Sequence, residues 1–386
     1  MGTPRSASMV SPEDQSVTFV ELFFDLVFVF SVTQAVGYLH HHLDWTGVGH
    51  TVLIFWLVWW AWTQYTWALN AADTTHPAVE LSTLLATGIA FFMAVALPGA
   101  FAGKALWFAI PYVVVRVLAL ALYARVSWEN DPSQHAAVRA FALLSVGGMA
   151  AVLGGALAGG STQFWLWGMA ILLDCIAAMS AGDREGWDLH PDHFAERHGL
   201  FIIIALGESL IVAAAGLTGA EAATRDVIGV GVLSVATTCA LWWTYFGCAK
   251  PALDRDLEHL RGAELSKAGR DAYSLFHFPL VLGVIAFAAA IEGIVLHPAD
   301  PLDLANRLAL GVGVLLFTGV MALSVWRVTS SLPALRILLG AATGGAVVFA
   351  AGVSPTTTLA IAFAGSALIG IVEHRKYIGR EEVATL

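Results

Sequence analysis

Charge is what this 386-residue sequence has least of. Asp, Glu, Lys and Arg make up 12% of it, where a soluble globular domain carries about 25%. Hydrophobic residues fill 58% of the chain, and mean hydropathy is +0.74. That deficit, with apolar runs recurring at helical length, excludes an ordinary soluble domain and predicts a polytopic membrane protein. Cysteine is scarce as well: Cys175, Cys239 and Cys248, with no CxxC, read as buried thiols and not as a disulfide framework. Net charge is −10 and no basic stripe or RNA motif occurs, so no nucleic-acid partner is expected. Walker, GxSxG, HExxH and strand-borne GxGxxG motifs are missing. Gly207-Glu208-Ser209 lacks the strand–turn–helix setting that makes a nucleophile. No cofactor is legible, and enzyme activity is the less favoured reading. Residues Met1–Ser16 lack the basic region and cleavage site of a signal peptide, so a short cytoplasmic tail is expected.

What the sequence does have is 14 Trp and 21 Phe, suited to lipid-facing and interfacial surfaces. It also has about twelve helix-length apolar stretches. The first six are Val17–Leu39, Val48–Asn70, Val79–Leu97, Ala105–Arg125, Ala136–Leu157 and Phe164–Ala181. The second six are Phe194–Leu217, Val227–Ala249, Ala272–Leu296, Ala305–Thr329, Leu332–Gly352 and Thr356–Glu373. Pro98-Gly99, Asp131-Pro132, Gly159-Gly160, His297-Pro298 and Ser354-Pro355 mark joints. The predicted fold class is an all-α membrane protein.

Most of the 19 Lys and Arg fall in the tails and even-numbered loops. They include Arg5, Arg125, Arg139, Arg184, Arg327, Arg336, Arg375, Lys376, Arg380 and the loop Lys250–Asp271. Lys104, Arg225 and Arg307 fall on the other side. The positive-inside rule then puts both termini in the cytoplasm. Leu253, Leu257, Leu260 and Leu265 predict a short amphipathic helix in the long loop.

Phe19-Val-Glu21 resembles Phe194-Ala-Glu196, and the WWAWTQY end of the second span resembles the LWWTYF end of the eighth. The similar offsets predict two parallel six-helix halves, related by a pseudo-two-fold along the membrane normal. Aromatic belts are the plainer account of the Trp pairs. The expected organisation is a tail (1–16), a first half (17–181), a linker (182–193), a second half (194–373) and a C-terminal tail (374–386).

The chain is organised around Thr18–Gln34. Glu21 and Asp25 sit one turn apart on one face of an apolar helix. An ionised carboxylate in hydrocarbon costs at least about 2.5–3.5 kcal/mol, so this face needs a partner, a wet cavity or protons. The second cluster runs from His193 to Ser209. Arg197 is a cation for Glu21, Asp25 or Glu196. Glu208, midway along its span, is a functional candidate with a protonated structural Glu as the alternative. Arg197 and Glu208 stand about 16.5 Å apart along a helix, too far to pair. His193 and Glu196 at i, i+3 are secondary metal candidates, since imidazole and carboxylate ligate zinc or iron. His198 points away from them, and capping is the commoner use. His40-His41-His42, with Asp44 and His50, reads as a solvated loop.

Arg116 and Asp174 are deep and opposite in charge, which makes them natural partners, as a structural pair or a substrate-binding one. Tyr273 and His277 are i, i+4 neighbours, and histidine titrates near neutral pH. His277 is a candidate proton carrier, or a satisfied core residue. Gln64 and Asn70 suit hydrogen bonds between helices.

Two long motifs, VELFFDLVFVFSVTQ at Val20–Gln34 and HFAERHGLFIIIALGESLI at His193–Ile211, resemble the bacterial low temperature requirement A (LtrA) family. WWAWTQYTWALN at Trp59–Asn70, LWWTYF at Leu241–Phe246 and AYSLFHFPLVLG at Ala272–Gly283 fit it too. The likeness runs from about Val17 to Glu373. It implies a bacterial inner-membrane protein tied by name to growth in the cold, and no settled activity or substrate. The matching positions are Glu21, Asp25, Glu196, Arg197, Gly207 and Glu208.

The favoured expectation is a proton- or ion-coupled secondary transporter. Its acidic residues and Arg197 would meet in a cavity between the halves, and its partners would be membrane lipid and a small-molecule or ion substrate. The alternatives are a membrane-embedded enzyme acting on a lipid or isoprenoid, and a non-catalytic sensor or assembly factor.

Overall fold

A computed structural model describes residues 8–130, 134–182, 189–219 and 222–384. Arg5, the Asp131-Pro132 joint and Arg184 lie outside the described residues. The chain is helical, with no strand longer than an isolated bridge among the described residues. The helices are α1 (Phe19–His41), α2 (Trp45–Ala71), α3 (Pro77–Ala96), α4 (Ala105–Asn130), α5 (Gln134–Ala158), α6 (Gly160–Gly182) and α7 (Pro191–Gly219). There follow α8 (Arg225–Thr244), α9 (Lys250–Leu257), α10 (Gly262–Ala268), α11 (His277–Leu296), α12 (Leu304–Thr329), α13 (Ala334–Phe349) and α14 (Pro355–Ala384). π-helical turns at Tyr245–Ala249 and Gly269–Leu275 flank the short α9 and α10.

A helix stands at each of the expected spans. Among the described residues, ten are long and apolar enough to cross a membrane. The two outside that set are α2 and α13. Helix α2 has 27 residues, but Trp, Thr and Gln dilute its hydropathy. Helix α13 has 16, about 24 Å at 1.5 Å per residue. The exposed surface is hydrophobic as only a membrane protein's can be. On α3, Leu81, Leu85 and Phe92 face outward while Thr83, Thr87, Ala86 and Ala90 face inward. Small and hydroxylated residues let helices approach, and lipid takes the large apolar ones.

The chain divides into two compact units that interleave in sequence. The first comprises Met1–Ala35, Gly49–His198 and Leu257–Ser274. In it α3 packs on α4, α4 on α5, and α5 on α6. Residues Met9–Gln15, expected as a tail, are tied down here. Ser11 N–H donates to Ala71 O at 3.0 Å and Asp73 N–H to Met9 O at 2.8 Å. Gln15 Nε2 donates to Leu69 O at 3.1 Å. The predicted leucine stripe holds in part: Leu253, Leu257 and Leu265 are buried. It is carried by two helices, α9 and α10, with Gly262 at positive φ (55°) at the start of the second.

The second unit comprises Val36–Val48, Gly199–Asp256 and Leu275–Leu386. Helices α11, α12, α13 and α14 pack in sequence, and α14 returns to α8. Close approaches occur at glycines. A Cβ on Gly313 would sit 2.8 Å from Gly283 O, and one on Gly283 would sit 2.8 Å from Gly313 O. Gly311 of α12 and Gly344 of α13 are reciprocal in the same way, each Cβ at 2.6 Å from the other's carbonyl. Backbone cannot step aside as a side chain can. Gly344→Val should therefore lower the melting temperature sharply, at about 3 kcal/mol of overpacking. Gly345→Val, with nothing within 4 Å of its Cβ position, should leave it nearly unchanged. Thermal unfolding in detergent compares the two variants, and equal melting would refute the close approach.

Candidate functional site

Helix α1 begins with the carboxylate half of a Thr-x-x-Glu capping box: Thr18 N–H and Oγ1–H both donate to Glu21 Oε2 at 2.9 Å. One oxygen of Glu21 is thereby spent on the helix end. The other, Oε1, lies 3.0 Å from His193 Nε2 and 3.5 Å from Arg197 Nη1. One turn on, Asp25 Oδ1 accepts from Trp62 Nε1 at 2.7 Å and from Arg197 Nη2 in a short ion pair. The guanidinium also lies over the rings of Phe24 and Trp62, at 5.9 and 5.8 Å. All these side chains belong to the first unit. Glu21, Asp25 and Arg197 are each 0% exposed, so the expected wet hollow at these residues is a closed network.

The proton on His193 can be placed by following donors. His190 N–H donates to Asn70 Oδ1 at 2.9 Å, which fixes which end of the Asn70 amide is oxygen. Asn70 Nδ2 then faces His193 Nδ1 at 3.1 Å, and also donates to His190 O at 3.0 Å. A ring nitrogen facing an NH₂ must accept. With Nδ1 accepting, the imidazole hydrogen belongs on Nε2, the nitrogen 3.0 Å from Glu21 Oε1. Protonating Nδ1 would set N–H against N–H across the Asn70 contact. With both carboxylates ionised and the imidazole neutral, two acids would face one cation.

A second buried network stands beside α5 and α6. Arg116 Nη1 donates to Asp174 Oδ1 at 2.8 Å, and both side chains are 0% exposed. Arg116 also donates to Gln64 Oε1 and to Tyr112 OH. Gly148 of α5 lets this carboxylate fit, its Cβ position lying 3.2 Å from Asp174 Oδ1.

The family model described as "Bacterial low temperature requirement A protein (LtrA)" matches residues 16–371. The chain belongs to this family. It is also 30% identical over 299 residues to an uncharacterised protein of Rhizobium meliloti (strain 1021), covering 74% of this chain and 71% of that one. No solved structure matches. The family match spans both motifs and every residue of the two networks.

Other expected residues of the family motifs stand elsewhere. Glu196 is exposed and takes no part in the cluster, because the buried face of α7 runs through His193, Phe194, Arg197, His198 and Phe201. Glu196 thus shares no ligand face with His193. Among the described residues no group of three or more His, Cys, Asp or Glu could hold a metal. His40 and His41 end α1 instead of lying in a loop, and His40 Nδ1 is 3.3 Å from Ala289 O. Glu208 is nearly fully buried and belongs to the second unit. Tyr273 lies in the π turn Gly269–Leu275, with i→i+5 bonding, and His277 begins α11. Tyr273 packs edge-on against His198 and Phe194 in the first unit. His277 bonds Tyr245 OH through Nε2 at 2.8 Å in the second.

Two contributors were not singled out as site residues from sequence. Trp62 read as part of an aromatic belt, yet it is 0% exposed and donates to Asp25. Arg336 read as a loop cation and is 2% exposed. The signal for Trp62 was available: it lies among Trp59, Thr63, Gln64 and Tyr65, more polar company than a lipid-facing belt needs.

Proposed function

We propose that this protein is a proton- or cation-coupled secondary transporter, with Glu21, Asp25, His193 and Arg197 as its coupling site. The observation that carries this reading is the charge count. Two ionised carboxylates, one guanidinium and a neutral imidazole whose Nδ1 faces the Asn70 amide would leave one negative charge buried. A buried unit charge is expensive, and taking up one proton or one monovalent cation removes it. A site that alternates between loaded and empty is what coupling requires. Its aromatic wall of Phe24 and Trp62 keeps the charges out of lipid. Glu208 is a further carboxylate for the same traffic by its depth in α7.

The reading includes twelve crossings of the bacterial inner membrane with both ends in the cytoplasm. Two six-helix halves, 17–181 and 194–373, are joined by 182–193. Within the first unit, the segment before α1, the end of α2 and the start of α7 meet through Ser11, Ala71, Asn70 and His190. The chain thus returns to one end after α2 and again after α6, as paired crossings require. The halves rest on helix count, since Glu21 is buried and its counterpart Glu196 exposed.

Purified protein in liposomes, loaded with a pH-sensitive dye and challenged with opposed proton and Na⁺ gradients, tests the site. Asp25→Asn should cut coupled flux by at least about tenfold, roughly the effect of losing 1.4 kcal/mol. The protein should remain folded, because the amide still accepts from Trp62. Glu21→Gln and Glu208→Gln should also lower flux. Wild-type flux in Asp25→Asn would reject the coupling role.

A further inference from the structure

The second unit carries a cavity of about 830 Å³ between the turn after α8, α9, the end of α12, the start of α13 and the middle of α14. Its lining includes Arg255, Asp256, Thr329, Ser331, Arg336 and Glu373. Arg336 stands out among them. It is 2% exposed, in the first turn of α13. One edge of its guanidinium is used: Nη2 bonds Thr244 O and lies 3.0 Å from Glu373 Oε2. Its Nε and Nη1 have no hydrogen-bond partner. A buried guanidinium with three unused N–H hydrogens, on Nε and Nη1, is costly to keep, and charged N–H donors of this kind suit the oxygens of a phosphate.

The surroundings agree with an anion of that kind. The cavity reaches the first turn of α13 at Ala334 and Leu335, and a helix N-terminus favours negative charge. Ser330 takes a left-handed turn (φ 56°) that brings Ser331 to the rim. Arg255 lines the same cavity, and basic pockets between membrane helices bind lipid head groups.

We propose that this cavity binds a phosphate group through Arg336, with Glu373 as an internal competitor for the same guanidinium. The phosphate belongs to an anionic phospholipid head group or to a free phosphate compound. Glu373 holds Arg336 in place when the site is empty and weakens the anion's hold when it is full. The assignment is independent of the coupling site.

The test uses full-length protein in neutral detergent, with two probes: inorganic phosphate and dihexanoyl-phosphatidylglycerol. Binding is read by native mass spectrometry and thermal shift. Glu373→Gln removes the competing charge and keeps an acceptor, so it should tighten binding about tenfold. Arg336→Gln should weaken it by at least as much. Should Arg336→Gln fail to fold, Glu373→Gln still decides. Tighter binding of the lipid names the head group as source, and tighter binding of inorganic phosphate names a soluble compound. Neither probe binding, or binding that Glu373→Gln leaves unaltered, overturns the proposal.

Discussion

Arg197→Gln costs this protein about 3–5 kcal/mol of stability, the range for breaking a buried ion pair by removing one partner. The loss is large because Arg197 serves two carboxylates at once. Without it Asp25 keeps only the Trp62 indole, and Glu21 keeps Thr18 and His193. Neither charge is screened by water, both side chains being 0% exposed. The variant should melt well below wild type in detergent and express poorly in membranes. Arg197→Gln combined with Asp25→Asn should recover much of the loss, because the double variant removes the stranded carboxylate along with the cation. A coupling energy above about 1 kcal/mol between the two sites is then expected. An Arg197→Gln protein that melts like wild type would mean that the guanidinium does not bridge α1 and α7.

The parts of this cluster that sequence reveals are those that follow from helical spacing and charge. Glu21 and Asp25 share a face because four residues return nearly one turn, and Arg197 is a cation at the matching depth. Arg116 and Asp174 find each other for the same reason: each is a lone charge in an apolar span. The remainder depends on facts that spacing does not contain. Glu196 is one residue from Arg197, and a rotation of about 100° is enough to turn it outward. The π turn at Gly269–Leu275 interrupts the helix expected through Tyr273, and no residue pattern announces that turn. Arg336 resembles a loop cation because it lies seven residues past the end of α12, yet α13 begins at Ala334 and carries it inside. His193 took its role from Asn70, more than a hundred residues earlier, and only a fold can join them. Thr18-x-x-Glu21 is the reverse case: its capping signature is plain in the sequence, but the carboxylate's functional promise hides the structural use.

Asp174→Ala carries the second large effect, again about 3–5 kcal/mol. It strands Arg116 with Gln64 and Tyr112, neutral groups that accept its hydrogens but not its charge. Removing both charges is a different matter. Arg116→Met with Asp174→Leu replaces the pair by apolar groups of similar length and branching. Buried pairs replaced in this way often leave stability unchanged or raise it. The fit is tight on one side only, where Gly148 lies under Asp174 Oδ1. The double variant should therefore melt near wild type while Asp174→Ala melts far below it. Liposome flux measured on the double variant then separates the two uses of the pair. Full flux makes Arg116 and Asp174 a brace between α4 and α6. Lost flux in a protein of wild-type stability makes them part of the transport path, because only the charges have gone. Equal melting of Asp174→Ala and wild type would contradict the geometry itself, since a buried guanidinium deprived of its carboxylate has no other anion within the network to turn to.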